Sequence, residues 1–425
     1  MSRPSHRIVL AMALLCAGGA RADDPDAGAL MLADQAPEPT QQSGNLRTFI
    51  EAAHGGATRR NNGGAQDNQR LSLDIRHDRS FSPGWRAFLA DRLDMSWPAP
   101  AGAEKHINTL KEAYLSWQAR PETLLDAGRV NVRNGVATGY NPTDYFRGGA
   151  LRSVVSISPA SLKENRQGSI MLRGQGLWNS GSLTMLYSPK LSDQAGTGGG
   201  LSPDVGATNH RDRWLATVSQ KIGAGLTPQF LIYREAARPT QFGLNLTGLI
   251  NDATVAHLEW SGGRGPSQLT RALGPPAPAC PCDSWRNHLA TGLTHTTANK
   301  LSLTGEYHYN GAGLDKAEWN ALGQAAPRIY GQYRGWAQSA QEPPTRRMLF
   351  FYGTWQDALI NHLDLSAMHH FDLVDSSRRT WLEARYHVGN VEYAVQALRN
   401  RGRQMSNFGA IPESRSWQAV VRYYF

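Results

Sequence analysis

The sequence predicts an all-β fold: an antiparallel transmembrane β-barrel of about 18 strands, with 16 as the alternative count. Three observations lead there. Between Leu46 and Phe425 the chain breaks into short segments whose apolar and polar residues take turns at period two. Mean hydropathy is modest at −0.46, and no run reaches the length of a membrane helix. The connections alternate between short turns and long polar loops, as in barrels with tight periplasmic turns and extended extracellular loops.

The first 22 residues read as a secretory signal peptide. Arg3, His6 and Arg7 form a basic start, Ile8 to Cys16 an apolar run too short to span a bilayer, and Ala20-Arg21-Ala22 a peptidase site. Cys16 is not in a lipobox, because Leu15 precedes it. Residues 23–43, rich in Asp, Ala, Pro and Gln, are expected to form a flexible periplasmic lead-in, and 44–425 the barrel.

The strands follow in order. Leu46, Thr48, Ile50 and Ala52 share one face against Arg47, Phe49 and Glu51. Leu71, Leu73 and Ile75 alternate with Arg70, Ser72, Asp74 and Arg76, a half-charged strand that suits a wall between lipid and water. Residues 85–97 repeat this division with Arg86, Arg92 and Asp94 inward, although Asp91 falls on the apolar side. Further strands are expected at 109–118, 124–130, 169–178, 182–188, 213–221, 227–235, 242–248, 254–261, 287–295 and 301–310. The last five are 349–356, 363–369, 380–387, 391–398 and 417–425. Short connections fall at 179–181, 222–226 and 389–390, and long ones at 55–68, 190–212, 262–284, 311–345 and 400–415. Trp85, Trp97, Trp117, Trp178, Trp260, Trp355, Trp381 and Trp417 lie near strand ends, as interfacial girdles require.

In the last strand Trp417, Ala419, Val421, Tyr423 and Phe425 form the apolar face, and Gln418, Val420, Arg422 and Tyr424 the more polar one. A strand closing on Val421, Tyr423 and a final Phe425 resembles the C-terminal signature of bacterial outer-membrane barrels. That resemblance implies a multi-pass outer-membrane location, contact with membrane lipid, and recognition of this strand by the barrel-assembly machinery.

Composition narrows the classes. Removing Arg3, Arg7 and Arg21 from 44 basic residues leaves 41 against 35 acids, a net charge near +6 that does not point to nucleic acid. Cys280 and Cys282 flank a single proline; a mutual bridge there is strained, and two sulfurs do not close a zinc site, so no metal and no cofactor are expected. His369 and His370 lie near Asp372 and Asp375, but adjacent strand residues face opposite sides. The chain contains no Gly-x-Ser-x-Gly elbow and no His-Glu-x-x-His helix, so an enzyme is not expected. With only 23–43 ahead of the first strand, a plug domain is not expected.

One stretch departs from alternation, Gly128-Arg129-Val130-Asn131-Val132-Arg133 through Asn141-Pro142-Thr143-Asp144-Tyr145-Phe146-Arg147. The loop it opens, 131–166, is too long for a hairpin turn, and loops of that length are functional or disordered. Its Gly-Arg … Gly … Asn-Pro-x-Asp run resembles a motif in large proteobacterial barrels, the alginate-export porins and related porin-like families. The resemblance implies an outer-membrane channel in which this segment folds inward, with Arg129, Arg133, Asn141, Asp144 and Arg147 at the constriction. Rings of arginine in an aqueous bore attract anions, which gives the same residues, and the inward Arg70, Arg76, Arg86, Arg92 and Arg385, a role in selectivity. The competing reading is that Arg129 and Asp144 pair to pin the loop, and that the lumen arginines are structural.

The expected function is passive passage of hydrophilic, anionic or polar solutes. The alternatives are an export channel for an acidic polysaccharide and an adhesive surface barrel.

Overall fold

The computed structural model describes residues 45–60, 63–98, 104–196, 198–223, 225–274 and 284–425. The expected signal peptide and lead-in lie outside the described residues, as do Cys280 and Cys282. The wall consists of β1 (Leu46–Arg59), β2 (Ala65–Ser82), β3 (Trp85–Trp97), β4 (His106–Arg120), β5 (Thr123–Val130) and β6 (Ser169–Trp178). It continues with β7 (Gly181–Ser188), β8 (Arg213–Gln220), β9 (Gln229–Glu235), β10 (Gln241–Asn251), β11 (Thr254–Gly265) and β12 (Ser284–Thr296). The remaining strands are β13 (Leu301–Asn310), β14 (Arg347–Trp355), β15 (Leu363–Asp372), β16 (Arg378–Val388), β17 (Val391–Arg401) and β18 (Glu413–Tyr424).

Each strand pairs antiparallel with its neighbours, and β18 pairs back onto β1 through Phe49 with Tyr424, Ala52 with Val421 and Thr58 with Arg415. The 18-stranded sheet therefore has no free edge. Period-two alternation builds the two faces. On β18 Trp417, Val421 and Tyr423 are exposed outward while Val420 and Tyr424 are buried inward. Leu89, Leu115, Met185, Phe230, Leu303, Phe351 and Val395 continue the exposed apolar exterior around the wall. Asp91 does point outward, and its carboxylate accepts a hydrogen bond from Asn108 Nδ2 at 3.1 Å.

Two expectations about the wall are corrected. Residues 55–68 are not a long loop: β1 and β2 run on to Arg59 and from Ala65, pairing Gly55 with Asn68 and Gly56 with Asp67. The glycines serve packing, since a Cβ at Gly55 would fall 2.4 Å from the Trp417 carbonyl oxygen and one at Gly56 3.1 Å from the Trp417 ring nitrogen. Trp381 is no girdle residue; it faces inward, buried against Phe350 and Met368.

The long loops carry helices: α1 (Pro159–Glu164), α2 (Val205–Thr208), α3 (Gln268–Leu273), α4 (Lys316–Gln324) and α5 (Pro327–Ser339). Asp315 caps α4, accepting the Ala317 and Glu318 amides while Glu318 returns a bond to the Asp315 amide. Leu314, Trp319, Leu322, Tyr330, Tyr333 and Val374 form a small core there, so the 311–346 connection is a packed cap.

Candidate functional site: an inward segment and a basic wall

Residues 131–168 leave β5, cross the inside of the barrel and return to β6. Arg129 ties the two ends together, donating to the Gly168 carbonyl at 3.0 Å, Gln167 Oε1 at 3.4 Å and the Pro203 carbonyl at 2.7 Å. The Asn131 amide donates to Glu112 on β4 at 3.2 Å.

Two carboxylates on the opposite wall then gather the backbone of 136–143. Glu259 on β11 accepts the amides of Val136 at 2.9 Å, Ala137 at 3.2 Å and Thr143 at 2.7 Å. It also accepts the Thr143 hydroxyl at 2.8 Å and Asn141 Nδ2 at 3.1 Å. Glu306 on β13 accepts the amides of Thr138 at 2.6 Å and Gly139 at 2.9 Å, and lies 3.1 Å from His257 Nε2 and 2.7 Å from His308 Nε2. Convergent N–H groups around one anion are a backbone nest, built here with the anion supplied by the wall. Gly135 allows it: its φ is +105°, and a Cβ there would sit 2.6 Å from Glu259.

The segment's own polar groups complete the anchorage. Arg147 pairs with Glu342 and donates to the Asn141 carbonyl, with its guanidinium 5.1 Å above the Tyr140 ring. Burial alone would raise the Glu342 carboxyl, but Arg147 and His288 outweigh it and hold that group below its ordinary range. Burial pushes the Tyr145 hydroxyl up to about 12, and its oxygen lies 2.9 Å from Ser261 Oγ. On the third side, Gln418 Nε2 of β18 donates to the Val155 carbonyl at 2.9 Å, and Arg70 of β2 reaches the same oxygen at 3.5 Å.

The wall formed by β1–β4 and β16–β18 carries most of the lumen arginines, and the structure divides them by role. Arg92 is 2 % exposed and does not line water: it bonds Glu51 at 3.0 Å and Asp94 at 2.9 Å, with Asp74 at 3.7 Å. Glu51 also takes Arg70 at 2.6 Å and Arg422 at 2.7 Å, while Lys111 holds Asp74 at 2.7 Å. Arg385 pairs with Glu383 at 3.1 Å and Glu392 at 2.6 Å, and Arg86 pairs with Asp78 near the turn end. Among the described residues, Arg47, Arg76 and Arg133 have no acid within ion-pair distance; Arg76 lies 5.1 Å over the Phe88 ring, and Arg133 is exposed. The potential they help create registers at Glu164 in α1. Its side chain is exposed to the bore, and although the surrounding protein would raise this carboxyl by desolvation, Lys111, Arg422, Arg133 and Arg47 together hold it below its ordinary range.

Of the residues expected at the constriction, Arg129, Asn141, Asp144 and Arg147 are buried in contacts that anchor the segment, and Arg133 is exposed. The partner of Asp144 is Arg166 at 2.6 Å, not Arg129, whose guanidinium is turned to backbone carbonyls. Glu259, Glu306 and Glu342 were not anticipated; the available signal was a glutamate at an inward position among His257 and Ser261 on β11 and His308 on β13. His369 faces outward with its Nδ1 2.9 Å from Thr380 Oγ1, and His370 is inward against Phe350 and Phe408, so the wall separates them.

No protein-family model matches the chain, and no curated protein matches it in sequence. Solved structures do. The BenF-like porin of Pseudomonas fluorescens superposes with a TM-score of 0.55 at 10% identity, over 91% of this chain and 100% of that one. The fold is that of an outer-membrane porin. OccAB1 of Acinetobacter baumannii matches with a TM-score of 0.55 at 11% identity, covering 91% and 99% of the two chains. OccK2 (OpdF) of Pseudomonas aeruginosa, solved in complex with glucuronate, matches at 0.54 and 10% identity over 90% and 98%. At these identities the likeness is one of fold; the alginate-export resemblance rests on the Gly128 to Arg147 motif alone. With an apolar exterior, a polar interior and no sheet edge, the porin-type barrel of this chain belongs across the outer membrane.

Proposed function

We propose that this protein is a passive outer-membrane channel for small anionic solutes, in which residues 131–168 set the narrow part of the path. The observation that carries this reading is the pair of exposed lumen arginines, Arg76 and Arg133, that have no acid within ion-pair distance among the described residues. Arg47 of β1, Lys111 of β4, Arg422 of β18 and Arg133 of the segment itself act on the exposed Glu164 carboxylate and hold it below its ordinary range despite its place inside the barrel. A mobile anion entering the same space meets the same field, with Arg76 and Arg133 accessible to exchange for its hydration shell.

The solute class we favour is sugar acids and other small carboxylates, in keeping with the glucuronate held by one of the similar structures. Export of an acidic polysaccharide is less suited to this architecture, because the segment is tied to β11, β13 and β18 across the bore. No catalytic step and no cofactor are part of this reading.

Uptake into proteoliposomes tests it. Glucuronate should enter several-fold faster than glucosamine of similar size at neutral pH, through attraction by the lining charge. Equal rates for the anionic and cationic sugars would refute the anion-channel reading.

A further inference from the structure

The lipid-facing side of β16–β18 carries a second basic feature, separated from the lumen by the wall. Arg378 stands directly across from Arg401, and Arg399 directly across from Arg415, so two like-charged pairs oppose each other on adjacent strands. All four side chains are exposed. Among the described residues none has a hydrogen bond or an acid within ion-pair distance; Arg378 has only the Phe371 ring, 5.7 Å away. Directly opposed like charges destabilise a sheet, and cations on the outer face of a barrel are costly within the lipid. An arrangement that accumulates both penalties at one spot indicates an anion that the chain itself does not supply.

Depth and shape identify that anion. Arg415 lies eight residues along β18 from Tyr423 of the aromatic rim. At a rise of roughly 3.3 Å and a tilt of about 40°, this is about 20 Å along the membrane normal. With the reach of an arginine side chain added, the guanidinium groups come to the headgroup level on the side of the long loops, which is the external side in barrels of this class. Below them the surface is a shallow groove formed by Trp417, Leu382, Ala397 and Gly56, with Thr58 and Thr380 at its margin. Asp67 lies at the far rim and Glu413 begins β18, and neither pairs with the four arginines. His369, the remaining titratable group in the groove, is engaged with Thr380.

We propose that this face binds a phosphorylated glycolipid of the outer leaflet, of the lipid A class. Its phosphates lie between the arginine pairs, and an acyl chain lies along Trp417 and Leu382. Guanidinium groups bind phosphate in bidentate fashion, and an anion between opposed arginines turns their repulsion into attraction. The inference rests on the outer-membrane reading but not on solute passage, so its failure leaves channel activity untouched.

The test uses the full chain folded in detergent, with native mass spectrometry of micelles doped with bis-phosphorylated or dephosphorylated lipid A. The wild type should retain the bis-phosphorylated lipid roughly tenfold or more over the dephosphorylated one, and Arg399→Gln with Arg415→Gln should remove that preference. Conductance and heat-modifiable mobility should stay at wild-type values. Arg401→Gln, at the loop-end rim, provides a milder variant should the double substitution fail to fold, and it should weaken retention by a few-fold. Equal retention of the two lipids, or unchanged preference in a folded variant, would overturn the proposal. Displacement by millimolar inorganic phosphate alone would overturn it too, since the site would then bind an ion rather than a lipid.

Discussion

The carboxylate of Glu306 and the backbone amide of Gly139 meet at 2.9 Å, joining a residue of the barrel wall to one that crosses its interior. With the neighbouring Thr138 amide on the other oxygen and two histidines behind it, Glu306 fixes the segment by its main chain. Replacing it with alanine leaves two part-buried N–H groups without their acceptor, at a cost of up to about 1–3 kcal/mol each. Single-channel recordings of Glu306→Ala should show larger and noisier currents as 138–139 comes loose. A quiet trace of wild-type amplitude would show that this contact does not hold the segment.

Gly139 tests the same junction from the other side. A Cβ there would fall 2.6 Å from Phe350 Cγ and 2.8 Å from His308 Cε1. Gly139→Ala therefore overpacks the contact by about 1–3 kcal/mol and should give the same current noise while the wall melts as before. Gly148, where a Cβ meets nothing within 4 Å, is the control: Gly148→Ala should behave as wild type.

Acid should loosen the segment through the Arg147–Glu342 pair. Glu342 is held below its ordinary value of 4.5 because Arg147 and His288 outweigh its burial. A depressed carboxyl contributes its stabilisation fully above that ordinary value and loses it as pH falls through the lower, folded value. Channel noise should accordingly be flat above about pH 5 and rise below about pH 4.5, and Glu342→Gln should be noisy at every pH. A pH-independent wild type would contradict this assignment.

Arg92 should matter to the wall rather than to the current. Its loss strands the buried Asp94, while Glu51 keeps Arg70 and Arg422 and Asp74 keeps Lys111, and breaking a buried ionic cluster by removing one partner costs about 3–5 kcal/mol. Arg92→Leu should lower the heat-modifiability midpoint on gels, whereas Arg76→Leu, which leaves no acid stranded, should not. Equal midpoints for the two would place Arg92 among the ordinary lining residues.

The barrel was legible because alternation is local: Leu71, Leu73 and Ile75 against Arg70, Asp74 and Arg76 state two faces within one strand, and each expected strand is present. Gly55 and Gly56 misled because turn-type residues also serve tight packing, here beside Trp417. The inward segment was legible as a departure from alternation but not as a set of contacts. Asn141, Asp144 and Arg147 read as solute-facing because their partners Glu259, Arg166 and Glu342 are set by the path of the loop. Nothing about Glu259 within its own strand distinguishes an anchor from a lining residue. Likewise Arg92 and Arg76 occupy equivalent inward positions in sequence, and only neighbouring strands decide which one is neutralised.

The most direct test is the zero-current potential of the purified channel across a planar bilayer under a potassium chloride gradient. Reversing Arg129 or Arg147 would perturb the segment's anchorage, so Arg76→Glu with Arg133→Glu is the informative variant. A potential of the sign set by chloride, moving toward zero or past it in that variant, is the result expected of a bore whose field is set by unpaired arginines. A cation-selective wild type, or an anion preference unmoved by both reversals, would contradict it.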